Sequence, residues 1–361
     1  MLFMSTKEDK IATFDPSQPG LADASIYGLP FSAEESEIII VSVPWEVTVS
    51  YGAGASEGPE AILDASFQVD LLHQEFPELW KLGIYLDEGP AHWKTNSALY
   101  KEMAQPIIEA LENGEVVDDN PTLKGDLAKI NEASEVLNAE LKELVTSWKN
   151  KGKKVILLGG DHSTPYGYYQ ALASIYGSFG IFHFDAHMDL RIAYEGFTYS
   201  HASIMYNAIQ LPEVSKLVQV GIRDFCEQEV AVVKGSDKVK VFTDADLKKG
   251  QFEGKTWQEQ VDEAIALLPD NVAVSFDIDA LYQWYCPNTG TPVPGGLSYE
   301  QAVYALSRLA ESNKKIIGMD LVEVAPGEDE WDGNVGARLL FHMCGVLAKN
   351  NGLAVGNKVI F

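Results

Sequence analysis

Residues Phe182-His183-Phe184-Asp185-Ala186-His187-Met188-Asp189-Leu190-Arg191-Ile192 close an apolar run that begins at Gly180, and they place Asp185, His187 and Asp189 at every second position. A short run that is apolar throughout, rather than alternating, reads as a strand covered on both faces, as in a parallel sheet between helices. In an extended segment residues i, i+2 and i+4 point to one side. Two carboxylates and an imidazole therefore converge on one point, and such a cluster is costly to bury without a cation.

The same run type recurs along the chain. With 180–185, strands are predicted over 37–43, 154–158, 217–222, 239–242, 272–278 and 315–322. Between them, residues 126–150 carry Leu127, Ile130, Leu137, Leu141, Leu144, Val145 and Trp148 at helical spacing. Further helices are expected over 164–176, 299–312 and 336–350. Strands alternating with amphipathic helices predict an α/β fold with a parallel sheet and crossover helices. Residues 1–361 read as a single domain, with an irregular Pro-, Gly- and Ser-rich arm over 1–35. Residues 89–125 read as an acidic, turn-rich excursion within it, helical only around 100–112.

An apolar fraction of 46% is ample for a continuous core. The 27 Lys and Arg against 53 Asp and Glu leave a net charge of −26, which argues against nucleic-acid or anionic-membrane binding; it mildly favours small cationic ligands, though surface acidity that serves solubility is the stronger reading. No uninterrupted apolar stretch approaches a membrane span, and the first ten residues lack a basic then apolar signal. A cytoplasmic protein is expected. Cys226, Cys286 and Cys344 fit no zinc or disulfide spacing and read as reduced thiols.

Three predicted strands end in acids or histidines: Leu157-Leu158-Gly159-Gly160-Asp161-His162-Ser163, the opening stretch, and Ser275-Phe276-Asp277-Ile278-Asp279. Ligands bind beyond the carboxyl ends of strands in open α/β sheets. Hard oxygen donors mixed with imidazole, and no thiolate, suit Mn²⁺ or another first-row divalent ion. Four carboxylates exceed the need of one ion, so two ions are expected, close enough to activate a water between them.

In order, Gly-Gly-Asp-His-Ser, Asp-Ala-His-x-Asp and Ser-Phe-Asp-x-Asp make the chain resemble the ureohydrolase superfamily of arginase, agmatinase, formimidoylglutamase and guanidino-acid hydrolases. The resemblance runs from about Ile38 to the C-terminus and includes residues 50–59 and 290–296. It implies a three-layer α/β/α arginase-like fold with a mostly parallel sheet of about eight strands. It also implies a homo-oligomer, trimer or hexamer, and a site for two divalent ions, Mn²⁺ first and Ni²⁺ as the alternative. One ion would take His162, Asp185, Asp189 and Asp277, the other His187, Asp185, Asp277 and Asp279. Asp185 and Asp277 would bridge, and Asp161 and Asp320 would support the ligands from behind.

Two catalytic residues follow from the resemblance beside Asp185 and Asp277. His201, in Tyr199-Ser200-His201-Ala202-Ser203, matches a histidine that passes a proton to the leaving amine, a role suited to an imidazole titrating near neutrality. Glu323 matches the acid that receives the substrate guanidinium, which a carboxylate can accept as a two-donor fork. The implied reaction is hydrolysis of a small cationic guanidino compound to urea and an amine. Residues 189–202 look like an agmatinase branch.

Arg191 admits a second reading, because formimidoylglutamases share Asp-Leu-Arg and a guanidinium could meet a substrate carboxylate; an internal ion pair holding the loop is the alternative. After Asp279 the chain has Ala280-Leu281-Tyr282-Gln283-Trp284-Tyr285 in place of the usual Gly-Leu-Asp-Pro. Trp284 or Tyr285 could stack on a small cation and narrow the pocket for free guanidine, or could serve only in packing. A metal-binding regulatory relative without turnover stands as the reading from another class.

Overall fold

The computed structural model describes residues 6–18, 20 and 24–361. Eight strands, β1 (Ile38–Val43), β2 (Ile84–Asp87), β3 (Lys154–Gly159), β4 (Phe179–Phe184), β5 (Val214–Ile222), β6 (Val239–Thr243), β7 (Asn271–Asp277) and β8 (Lys315–Val322), form one sheet. Their order is β2-β1-β3-β8-β7-β4-β5-β6 and every pairing is parallel. The mostly parallel sheet expected from sequence is thus wholly parallel among the described residues.

Both faces are covered because successive side chains on a strand leave opposite sides. On β1, Ile38 and Ile40 join a core with Ile62, Leu306 and the helix Trp331–Asn350. Ile39, Val41 and Val43 join a second core with Ile107, Leu137, Leu141 and Leu172. Helix, sheet and helix make the three layers, and the predicted helices appear as Pro121–Asn150, Tyr166–Tyr176, Tyr299–Glu311 and Trp331–Asn350.

Three segments differ from expectation. β2 was not foreseen; its four residues alternate buried and half-buried at the sheet edge, too short a pattern to stand out. Residues 89–125 are mainly a 21-residue helix, His92–Glu112, that continues through Pro106. Trp93, Ile107 and Ile108 anchor it on the second core, so tertiary burial outweighs the proline's missing donor. The arm over 1–35 is not irregular throughout: Lys7–Thr13 is helical with a capping box at Thr6, while residues 1–5, 19 and 21–23 lie outside the described residues. Its later part is buried, with Tyr27 donating its hydroxyl to the Ala337 carbonyl at 3.0 Å.

Among the described residues no helix is long and apolar enough to cross a membrane, and all three cysteines are free thiols.

Candidate active site

The carboxyl ends of β3, β4, β7 and β8, the four central strands, open on one cavity of about 380 Å³. His162, His187, Asp189, Asp277, His201 and Glu323 all line it.

His162 follows β3 where the chain turns tightly. A side chain at Gly160 would meet the Trp45 carbonyl oxygen at 2.1 Å, so only glycine lets the β3 turn lie against the segment after β1. Asp161 ties these segments together, accepting from the amides of Val47 at 3.3 Å and Ser163 at 2.9 Å. Burial pushes its carboxyl up to about 6. It supports the turn that aims His162.

Around His162 the donor atoms are gathered closely enough to hold a cation. Its Nδ1 lies 3.1 Å from Asp185 Oδ2, 2.9 Å from Asp189 Oδ2 and 3.3 Å from Asp277 Oδ2, yet it is buried with no hydrogen-bond partner. Its other nitrogen, Nε2, lies 3.0 Å from Ser275 Oγ, whose hydroxyl is directed to Asp320 Oδ1 at 2.7 Å. Having given its one proton to Asp320, Ser275 accepts from Nε2, which leaves the Nδ1 lone pair facing the three acids. Tyr169 donates to the other Asp320 oxygen at 3.0 Å, and burial pushes that carboxyl up to about 6.

A second group forms beside the first. His187 Nδ1 lies 3.4 Å from Asp185 Oδ1 and 3.0 Å from Asp279 Oδ2. Asp185 therefore presents one oxygen to each imidazole and stands between the two groups. Asp277 is brought to the His162 group; its Oδ1 accepts the Asp279 amide at 2.8 Å. Asp279 Oδ1 accepts the Ala186 amide at 2.9 Å, and Arg223 braces the Asp279 carbonyl at 2.6 Å.

These six residues fit divalent cations by charge as well as by donor type. Burial, followed by Asp185, pushes Asp189 up to about 7, and burial followed by Asp279 pushes Asp277 well above the usual carboxylate range. Against burial, which opposes the charge, Asp279 and Asp185 hold His187 up at about 12. Protons collect where a cation would neutralise the same acids. The family-implied ions would be held by His162, Asp185 and Asp189 with Asp277 on one side, and by His187, Asp185 and Asp279 on the other.

Two acids of the site sit in left-handed backbone, Asp189 at φ 54° and Glu323 at φ 63°. Each costs about 1–3 kcal/mol and is held by its surroundings. The Asp189 carbonyl accepts from Met205 and Tyr206, both at 3.0 Å. The Glu323 amide donates to the Gly160 carbonyl at 2.8 Å, and Thr289 donates to the Glu323 carbonyl at 2.8 Å. The turn after β8 thereby brings the Glu323 carboxylate back over the strand ends. Its Oε1 accepts the His162 amide at 2.8 Å. Burial, then Asp277 and Asp161, raises it well above the usual range.

His201 lies across the cavity, its Nδ1 3.4 Å from Thr48 Oγ1. Burial, then the neighbouring His187 and His162 and the Arg191 guanidinium, pushes it down to about 4. The near-neutral titration expected from sequence is thereby shifted down: buried beside Arg191 and the other histidines, His201 favours the neutral imidazole.

The other walls redistribute the substrate residues. Arg191 lines the cavity, its guanidinium 4.7 Å from the centre of the Tyr194 ring, and among the described residues it has no carboxylate within 4.0 Å. No contact ion pair among them holds it, although its charge is felt by Glu195 of the same loop. Trp284 and Tyr285 do not line the cavity. Trp284 is 64% exposed and stacks on Tyr282 at 4.4 Å, while Tyr285 packs towards Tyr299. The loop after Asp279 carries them outward, so they do not narrow the pocket.

Sequence reasoning passed over Glu112 and Asp224 on the walls and gave no role to Tyr194 and Glu195 within the 189–202 stretch; the helix His92–Glu112 contributes the first of them. That helix also holds the front loop, since Lys101 pairs at 2.9 Å with the buried Glu46, which accepts the Gly54 amide at 2.8 Å. Residues 50–59 and 290–296 meet there: a Cβ on Gly52 would lie 2.4 Å from the Gly290 oxygen. His183 and Gln219, buried under the acids, were also missed, although His183 lies on the same every-second-residue stripe as Asp185.

The model of the arginase family matches residues 36–345. An N(1)-aminopropylagmatine ureohydrolase of Thermus thermophilus is 32% identical, over 87% of this chain and 91% of that protein. An agmatinase of Neisseria meningitidis is 29% identical, over 84% of each. By structure, an agmatine ureohydrolase of Thermoplasma volcanium matches with a TM-score of 0.67 at 21% identity, covering 95% of this chain and 98% of that one, a likeness of fold.

Proposed function

Because this chain belongs to the arginase family, we propose that it is a metal-dependent amidine hydrolase that cleaves an agmatine-type guanidino compound to urea and an amine. The observation that carries this reading is that one cavity joins the His/Asp cluster to Glu323 and His201. The names of the relatives, agmatinase and aminopropylagmatine ureohydrolase, place their substrates among guanidino compounds with a cationic tail. Beyond the cluster and Glu323, the lining acids Glu112, Glu195, Asp224 and Glu229 outnumber the one cation, Arg191, which favours such a tail.

When bound, two divalent ions supply a nucleophile from water at neutral pH and stabilise charge as it develops. Mn²⁺ is the ion this oxygen-rich donor set suits first, with Ni²⁺ as the alternative. The chain's own residues do the rest. Glu323, with Oε1 committed to the His162 amide, offers its remaining lone pairs to the guanidinium and so holds the target carbon over the cluster. His201, neutral before the reaction, can accept a proton and hand it to the departing amine nitrogen. Its replacement in His201→Asn is expected to lower kcat about 10²-fold or more with KM little changed, as read by steady-state urea release.

Arg191 carries the second reading, since a guanidinium that lines the cavity with no carboxylate of the described residues within 4.0 Å could meet a carboxylate-bearing substrate such as formimidoylglutamate or arginine. In Arg191→Ala, activity on a tail that is only cationic should stay within about threefold, whereas a carboxylate substrate should lose about 10-fold or more in kcat/KM. The compact-pocket argument for free guanidine lapses with Trp284 and Tyr285 outside the cavity.

The deciding experiment is urea release from agmatine, aminopropylagmatine, arginine and guanidine after loading with Mn²⁺ and separately Ni²⁺, with formamide release from formimidoylglutamate alongside. Absence of product from every compound with either metal would sink the enzyme reading and leave the regulatory one. The same reading takes the protein as a cytoplasmic homo-oligomer, trimer or hexamer, which sedimentation of the metal-loaded protein tests.

A further inference from the structure

Beneath the ligands, four polar residues form one line across the sheet. Gln219 on β5 is the register partner of His183 on β4, His183 of Ser275 on β7, and Ser275 of Asp320 on β8. Each is 0% exposed. Asp185 and Asp277 follow His183 and Ser275 by two residues, so the row lies one step under the cluster on the same face. Placing four polar side chains in the middle of a parallel sheet is costly unless each bond is made.

The bonds on the His183 side have a single consistent direction. The Gln219 amide nitrogen lies 2.7 Å from the Met188 carbonyl oxygen, which can only accept, so the nitrogen and not the oxygen of the amide faces it. The same nitrogen lies 2.9 Å from His183 Nδ1. Its second hydrogen makes Nδ1 an acceptor, which leaves the imidazole proton on Nε2, 2.8 Å from Asp185 Oδ2. By proximity to His162, Asp185 and Asp189 alone, His183 could hold a cation. With Nδ1 accepting and Nε2 donating, it has no lone pair left for one.

We propose that His183, set in its Nε2–H form by Gln219, is the positioning residue that orients Asp185, the acid standing between the two imidazole ligands. Gln219 acts a second time through the Met188 carbonyl, anchoring the turn between His187 and Asp189. On the other half of the row, Ser275 and Asp320 do for His162 what Gln219 and His183 do for Asp185. The row presets the ligand shell before an ion arrives. This inference rests on the metal-centre reading of the site.

The test compares metal-free wild type with His183→Met, His183→Gln and Gln219→Leu by calorimetric titration with Mn²⁺, and records the imidazole ¹⁵N spectrum of the wild type. His183→Met and Gln219→Leu should weaken Mn²⁺ binding about 10- to 100-fold, and His183→Gln, whose amide can replace the Nε2–H donor, should recover most of it. A role in packing alone would lower the melting temperature of the metal-free variants without this selective change. An Nδ1–H form of His183 in the wild type, or Mn²⁺ affinity within about twofold of wild type in both His183→Met and Gln219→Leu, would overturn the proposal. Should either variant fail to fold, the wild-type spectrum decides. Wild-type protein that binds neither Mn²⁺ nor Ni²⁺ would overturn the metal-centre reading itself, and this inference with it.

Discussion

Exhaustive chelation is expected to lower urea release at least about 10³-fold, with recovery on adding back Mn²⁺ or Ni²⁺. The reason is visible in the His162 group, where three acids face one imidazole nitrogen that has no hydrogen-bond partner. Removing the ions should also destabilise the fold. A metal at about 1,000 times its Kd adds about 4 kcal/mol, which should appear as a melting temperature several degrees lower in the metal-free protein.

The gap should widen as pH rises. Asp189 is raised to about 7 and Asp277 is raised well above the carboxylate range, so between the unfolded value near 3.8 and those higher values the folded metal-free protein binds protons that the unfolded chain has released. These groups alone make stability fall with increasing pH, while His201 and His342, lowered to about 4 and about 3, act the other way below their unfolded value of 6.5. His187, held up at about 12, acts in the same direction as the two acids above its unfolded value of 6.5. Metal must displace these protons, so its affinity weakens on acidification. Melting curves of loaded and metal-free protein from about pH 5 to about pH 8 check the sign, and a gap that narrows with rising pH would contradict the arrangement.

Glu323→Gln is expected to cost about 10²–10³-fold in kcat/KM while metal content stays at the wild-type level. The substitution is discriminating because of the His162 amide, which lies 2.8 Å from Oε1 and requires an acceptor there. The new amide must therefore turn its carbonyl to His162 and its NH₂ to the cavity, where it presents donors to a guanidinium that is itself all donors. Ligand geometry is preserved and substrate positioning is lost. Parallel metal analysis and substrate kinetics separate the two, and loss of metal in this variant would mean that Glu323 serves the ligand shell instead.

Much of this site was legible along the chain because its chemistry is local. Asp185, His187 and Asp189 alternate at the end of one strand, and His162 and the Asp277/Asp279 pair each follow another, so period-two geometry and a turn place each group without knowledge of its neighbours. His201 and Glu323 came from family resemblance. Periodicity alone could not place them, since one lies on a short turn and the other owes its direction to a left-handed backbone held by Gly160 and Thr289. Trp284 and Tyr285 show the opposite failure: two residues close in sequence to a ligand were carried away from the cavity by the turn between them.

The sequence by itself determined the α/β class, the sites of seven strands and the donor set, because these depend on burial patterns and residue types within a few positions. Only the tertiary structure decided which donors meet. Strand order brings β3, β4, β7 and β8 side by side although β4 lies far from β7 and β8 in the chain, and parallel register aligns Gln219, His183, Ser275 and Asp320 in one row. The proton on each imidazole was decided there too. It depends on a carbonyl at Met188 and an acid at Asp320, which reach His183 and His162 only through the folded sheet.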